Sequence, residues 1–266
     1  MTNPTALITG GSSGIGLAVS NLLIKRGYRV FSLSRNPNRA EISQRFIPIE
    51  FDLLEIEKIA EFSTEFIRNN GIPDLLINNA GCGAFYDWEH FPEEEITKQI
   101  NLLFTSPILL CKNFAPQMAK AGKGTILNLS SLATMYPLPY MPLYNAGKSA
   151  LSSFTESMML EYHESPKFID FRMGDVRTKF NQVASAQPLE NQSSKMKKAW
   201  SRIDWQLERS PPPKTAALQI IRSLDKGKSG RVYGGSFFHR VILPIIYPNV
   251  MPRLLISILK RYYSLY

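Results

Sequence analysis

Two residue spacings in this chain are suited to chemistry. Tyr144-Asn-Ala-Gly-Lys148 sets a phenol and an ammonium four positions apart. On a helix that spacing puts both on one face, about one turn from each other. A phenol with a pKa near ~10 is a poor acid–base group at neutral pH. An ammonium beside it favours the phenolate and is expected to lower that pKa towards the working range. Taken alone, the same pair would also suit a solvated helix surface. The second spacing is Gly10, Gly14 and Gly16 in Thr9-Gly-Gly-Ser-Ser-Gly-Ile-Gly16. Glycine permits positive φ and lets backbone N–H groups come close to a pyrophosphate. A helix opening behind the turn would point its positive end at that anion. Without context, the motif is also an ordinary tight turn.

The context is that of a strand feeding a helix, and it recurs along the chain. Strand-like runs are Ala6–Thr9, Arg29–Ser34, Phe46–Phe51, Leu75–Asn78, Gly124–Ser130, Phe168–Met173 and Arg231–Tyr233. Between them, apolar residues at helical spacing occupy 14–27, 55–69, 92–120, 144–163 and 212–226. Alternating strands and helices imply parallel strands joined by crossovers, hence an α/β fold: one doubly wound Rossmann-type domain with a mostly parallel, seven-stranded sheet and helices on both faces. We expect this domain to span 1–235, with 236–266 as a helical C-terminal extension. The polar segment 185–213, closed by Ser210-Pro-Pro-Pro213, interrupts the alternation where either a substrate lid or a surface excursion would sit.

The end of the second strand bears on the nucleotide. Sites that prefer NAD place an Asp or Glu there to accept the ribose hydroxyls. Ser34 and Arg35 stand there instead. A hydroxyl and a guanidinium suit a 2′-phosphate that an acid would repel. The expected cofactor is therefore NADP(H), unless Arg35 is merely a solvated loop residue.

Further residues fall into register with these. Ser131 precedes Tyr144 by 13 positions, Asn78-Asn-Ala-Gly81 ends the fourth strand, and Asn101 lies in the helical region beyond. With the glycine turn, this set resembles the short-chain dehydrogenase/reductase family from Thr5 to about Thr178. The resemblance implies that Tyr144 exchanges a proton with the substrate oxygen and that Lys148 holds the nicotinamide ribose. It further implies that Ser131 hydrogen-bonds the substrate oxygen and that Asn101 positions a water in a proton relay. Ser130 is the rival to Ser131, and the spacing favours Ser131. The implied cofactor contacts are Gly10, Ser12, Ser13, Gly14, Ile15 and Gly16 at the pyrophosphate, Ser34 and Arg35 at the ribose phosphate, and Asp52 and Leu53 at the adenine. Asn79, Ala80 and Gly81 would lie along the cofactor, and Gly174, Val176 and Thr178 would lie near the carboxamide. The chain departs from the family pattern where Met173-Gly174 replaces the usual Pro-Gly, which should leave that loop less rigid. It also departs at 132–143, an apolar loop stiffened by three prolines.

Composition narrows the alternatives. The chain has 266 residues, of which 44% are hydrophobic and 20% charged, ordinary for a globular domain. Cys82 and Cys111 have no ligand-like spacing, so neither a metal site nor a disulfide framework is expected, and a cytoplasmic setting is the simplest. The N-terminus runs directly into a strand, an arrangement unlike a signal peptide. The three histidines match no catalytic motif and read as surface or packing residues. Charge is uneven: residues 195–266 hold 14 Lys/Arg against 3 Asp/Glu. No nucleic-acid motif accompanies that excess, so no nucleic-acid partner is expected. Apolar bulk with cations and tyrosines after residue 236 suits either peripheral membrane contact or packing over a cleft. With the apolar loop, this tail points to a hydrophobic carbonyl substrate of 3-ketoacyl, keto-sphingoid or sterol type. The resemblance also implies a homo-oligomer paired through 92–120 and 144–163. Oxidation of an alcohol, or non-catalytic sensing of NADP(H), are the competing readings.

Overall fold

The computed structural model describes residues 3–37, 44–178, 185–186 and 188–266; residue 187 of the 185–213 segment lies outside them. Seven strands form one sheet: β1 (Thr5–Thr9), β2 (Arg29–Ser34), β3 (Phe46–Glu50), β4 (Leu75–Asn78), β5 (Thr125–Ser131), β6 (Lys167–Met173) and β7 (Gly230–Tyr233). Their order is β3-β2-β1-β4-β5-β6-β7, and every pairing is parallel. The order reverses between β1 and β4, so the crevice beyond their carboxyl ends is where ligands bind in such sheets.

The central strands are apolar on both faces because helices cover both. Ala6 and Ile8 pack with Val19 and Leu23 of α1 (Gly14–Lys25) and with Ala217, Ile220 and Ile221 of α7 (Pro213–Asp225). Leu7 and Leu76 face the other way. They pack with Phe66 of α2 (Ile59–Asn70) and with Leu110, Phe114 and Met118 of α4 (Ser106–Lys120). The strand's period of two thus feeds two separate cores.

Three elements differ from the sequence reading. The expected helix over 92–120 is divided: α3 (Glu93–Ile100) and α4 are joined by a single π-helical turn, Asn101–Thr105. Leu102, Leu103 and Phe104 continue the apolar spacing, so periodicity gave no warning. Strand β5 runs one residue further than expected and ends on Ser131. Within 185–213 lie a two-residue strand, Ser185–Ala186, paired with Ala84–Phe85, and α6 (Ser194–Arg209). Helix α6 is pinned by Met196, Ala199 and Ile203, which pack with Phe85, Met141 and Tyr263. The extension is helical, with turns from Phe238 to Asn249 followed by α8 (Pro252–Tyr262).

Candidate active site

The glycine turn joins β1 to α1. Gly10 and Gly14 have φ of +66° and +52°, values that side chains resist. Gly16 is required for a different reason: a Cβ there would lie 2.2 Å from the Gly10 carbonyl oxygen. Helix α1 starts after Ser13 with no side-chain cap and no acid in its first turn. Its first N–H groups therefore face the crevice with neither a hydroxyl nor a carboxylate to compete for them, a surround that fits a pyrophosphate. Ser12 donates to Ser34 at 3.1 Å, tying the turn to the end of β2. Arg35 follows, exposed, and its charge reaches Lys98 and Cys82. Thr178 sits across the turn, its Cγ2 3.6 Å from where a Gly14 Cβ would be.

Asn79 does more for the protein than the sequence implied. Its amide donates to the Thr9 carbonyl at 2.9 Å, and its N–H donates to the Thr9 hydroxyl at 2.9 Å. The Ala80 N–H reaches the same hydroxyl at 3.0 Å. Thr9, which the sequence reading passed over, thus clamps the glycine turn to the end of β4. Asn78 is buried and donates to Asn128, which donates to Thr155 of α5 (Pro142–Glu161). The carboxyl end of the sheet is in this way laced from β1 across to α5. At the β3 end, Asp52 accepts the Leu54 N–H at 3.0 Å, and Leu53 is buried.

Tyr144 and Lys148 lie on one face of α5, as their spacing required. Ser131 hydrogen-bonds the Tyr144 phenol and accepts the Ala133 N–H at 3.1 Å. Ser130 is engaged elsewhere, donating to the buried carboxylate of Asp170. Lys148 is buried and donates to the Leu129 carbonyl at 2.6 Å. Desolvation pushes its pKa down to about 8. The expected lowering of the phenol is not what this arrangement gives. Burial raises Tyr144 above the usual phenol range, and only the Ser131 hydrogen bond opposes it. With the ammonium directed at a backbone carbonyl, its effect on Tyr144 does not outweigh desolvation.

Asn101 opens the π-turn. Its carbonyl accepts both the N–H and the hydroxyl of Ser106, the latter at 2.8 Å. Leu103 of the same turn wedges between Gly81 and Gly147, where added Cβ atoms would approach it to 3.2 and 2.8 Å. The turn is thereby set against the residue preceding Lys148.

Other site residues had no signal in the sequence. Cys82 accepts from Gln99 at 3.1 Å, and its thiol is pushed up by burial. Asp175 follows Gly174 after β6, and its charge reaches Tyr144, Tyr263 and His239. Burial raises its carboxyl pKa, and it accepts no hydrogen bond among the described residues. His239, read as surface or packing, places a buried, unpartnered Nδ1 against Gly174, 2.7 Å from where a Cβ would stand. The loop expected to be loose without its proline is held from outside. The Arg177 N–H donates to Pro211 at 3.0 Å and the Gly174 N–H to Gly234 at 3.2 Å, while Val176 is buried in the core. Over Tyr144 lies an apolar wall of Met141, Met196, Trp200, Leu259 and Tyr263, drawn from the proline-rich loop, α6 and the tail.

The short chain dehydrogenase family model matches residues 4–188. The chain belongs to that family. The family is one of oxidoreductases, and the glycine turn of this chain fits the family's NAD(P)(H) binding. A 3-ketodihydrosphingosine reductase of Bacteroides thetaiotaomicron is 34% identical over 157 residues, 59% of this chain and 58% of that protein. The matched stretch thus spans less than two thirds of that relative's length. A short-chain dehydrogenase from Streptomyces avermitilis has a similar structure, with a TM-score of 0.78 and 26% identity over 89% of each chain. A metagenomic short-chain oxidoreductase solved in complex with NADP is 28% identical, with a TM-score of 0.59 over 65% of this chain and 81% of that one. Among the described residues, no helix of this short chain dehydrogenase is long and apolar enough to cross a membrane. Nor do three or more His, Cys, Asp or Glu side chains gather there as a metal site.

Proposed function

We propose that this enzyme is an NADPH-dependent reductase that converts the ketone of a hydrophobic, lipid-like substrate to an alcohol. The observation that carries the reading is Ser131 bonded to the Tyr144 phenol beneath the apolar wall of Met141, Met196, Trp200 and Tyr263. The turn from Gly10 through Ser12, Ser13, Gly14 and Ile15 to Gly16 would hold the pyrophosphate. Ser34 and Arg35 would take the 2′-phosphate, and Asp52 and Leu53 the adenine. Asn79, Ala80 and Gly81 would line the cofactor's course, with Gly174, Val176 and Thr178 at the carboxamide. When bound, the nicotinamide supplies the hydride.

The chain's own residues then handle the oxygen. The Ser131 hydroxyl orients and polarises the carbonyl, and Tyr144 delivers the proton as negative charge develops on oxygen. Lys148 turns from the Leu129 carbonyl to the ribose and brings its positive charge to bear on the phenol. Asn101, at the π-turn, holds the water through which Lys148 is reprotonated. The segment 185–213 acts as the lid within the domain 1–235, with 236–266 as an extension packed against it. Family members commonly pair through the helices at 92–120 and 144–163, and we assign the same homo-oligomeric pairing here.

Asp175 favours one substrate class among several. A carboxyl that accepts no hydrogen bond among the described residues, within charge reach of the phenol and of His239 and close to the apolar wall, suits a ketone carrying an amine or hydroxyl donor near the carbonyl. The sphingoid ketone in the Bacteroides relative's name belongs to that class. NADPH oxidation followed with long- and short-chain ketones tests the whole reading. Turnover should rise with chain length and vanish in Tyr144→Phe. Turnover confined to small polar sugars would overturn the lipid assignment.

A further inference from the structure

The C-terminal thirty residues do two jobs with two faces. The inward face is spoken for: Leu243 is buried against Leu132 and Met135, and Leu259, Tyr263 and Leu265 join the wall above Tyr144. The outward face is apolar and uncovered. Phe237, Val241 and Ile245 recur every four residues, and Met251, Leu254 and Ile258 follow at three and four. Both series are helical stripes. Phe237, Ile245 and Met251 are 70%, 66% and 69% exposed, and Ile258 is 51% exposed. Scattered exposed leucines need no explanation, but two adjoining helical stripes of this kind mark a surface that meets something.

Charge identifies the partner. Asp225 is the last acidic residue in the sequence, so every charged side chain after it is positive. Arg240, Arg253, Lys260 and Arg261 lie on the same two helical segments as the stripes, all of them exposed, and none forms an ion pair among the described residues. Tyr262 and Tyr266 add exposed amphipathic rings at the end of α8. A protein partner would have to match an extended apolar strip and set acids beside it. A bilayer rich in anionic lipid offers both features everywhere on its surface. Helix α8 has eleven residues, far short of the twenty or so needed to span a bilayer. It can only lie in the interface.

We propose that residues 237–262 form a peripheral docking surface for anionic membranes. Seated this way, the tail's outer stripe enters the headgroup region while its inner residues remain the wall of the pocket over Tyr144. The proposal concerns binding alone and stands whether or not the substrate is a lipid.

Flotation of the full chain with phosphatidylcholine vesicles, and with vesicles that also contain phosphatidylglycerol, tests it. The protein should float with the anionic vesicles and be released as salt is raised. Ile245→Ser with Ile258→Ser should reduce partitioning at least tenfold at an unchanged melting temperature, since both side chains are exposed. Arg253→Glu with Lys260→Glu should reduce it about tenfold on anionic vesicles alone. Absence of flotation for the folded wild-type chain would overturn the proposal. So would a solution dimer that Ile245→Ser with Ile258→Ser separates, because a second copy would then cover this face.

Discussion

Ser130 donates its hydroxyl to the carboxylate of Asp170, which is wholly buried and also accepts from Ser152 and Arg172. Successive side chains on a strand point to opposite faces, so the neighbouring hydroxyl of Ser131 is turned away from Asp170 and meets Tyr144 instead. Two adjacent serines therefore have separable duties. Ser131→Ala should lower kcat about a hundredfold or more with little change in stability. Ser130→Ala should cost about 1–3 kcal/mol of stability by removing a donor from a buried carboxylate, with a smaller effect on kcat. Steady-state kinetics and urea unfolding on both variants would expose a reversed pattern, and that pattern would move the catalytic role to Ser130.

Lys148 predicts a pH signature. Its pKa is about 8 in the folded protein against the ordinary 10.5. Between those values the unfolded chain binds more protons than the native one, so this residue makes stability rise with pH across the window. Below pH 8 the full cost of burying the ammonium is present, about 3 kcal/mol from a shift of that size. Lys148→Met removes the effect. Comparing urea unfolding of wild type and variant at pH 7 and pH 10, wild type should gain on the variant by roughly that amount. A stability difference that ignores pH would mean the ammonium is well solvated.

Arg35 should decide between the two nucleotides. If it binds the 2′-phosphate, Arg35→Ala forfeits a charge-assisted contact worth about 1.5–3 kcal/mol. The KM for NADPH should then rise roughly ten- to a hundredfold while that for NADH barely moves. Equal effects on both would return Arg35 to the status of a solvated loop residue.

Asp175 should act on substrate choice rather than on chemistry. For a long-chain ketone with a neighbouring amine, Asp175→Asn should raise KM about tenfold, leaving the plain ketone of equal length unaffected. Equal losses on both ketones would instead indicate that Asp175 positions Tyr144.

Much of this architecture was readable in advance where the determinants are local. The glycine turn, the pair on α5 and the alternation of apolar strands with helical stripes are short-range patterns, and the parallel sheet follows from them. What escaped is set by contacts between distant segments. Thr9 has a role only because Asn79, seventy positions away, folds against it. Asp175 and His239 look like unrelated loop residues until β7 brings Gly234 to the Gly174 N–H. The phenol's environment escapes the spacing for a similar reason. Spacing brings Lys148 close, but the Leu129 carbonyl that engages its ammonium comes from another element.

The π-turn at Asn101–Thr105 has a consequence for how the chain can vary. A π-turn contains one residue more than the α-helical turn it replaces. Deleting a single residue from 102–105 would make a straight, better-bonded helix whose side chains beyond the deletion keep their present angle about the axis, because an i→i+5 bond sets residue i+5 where residue i+4 of an α-helix would stand. Leu110, Phe114 and Met118 would go on filling their core, while the bulge that seats Leu103 between Gly81 and Gly147 would be gone. The surplus position is thus a strictly local insertion: it reshapes the helix beside Lys148 at no cost to the register of the hydrophobic interior.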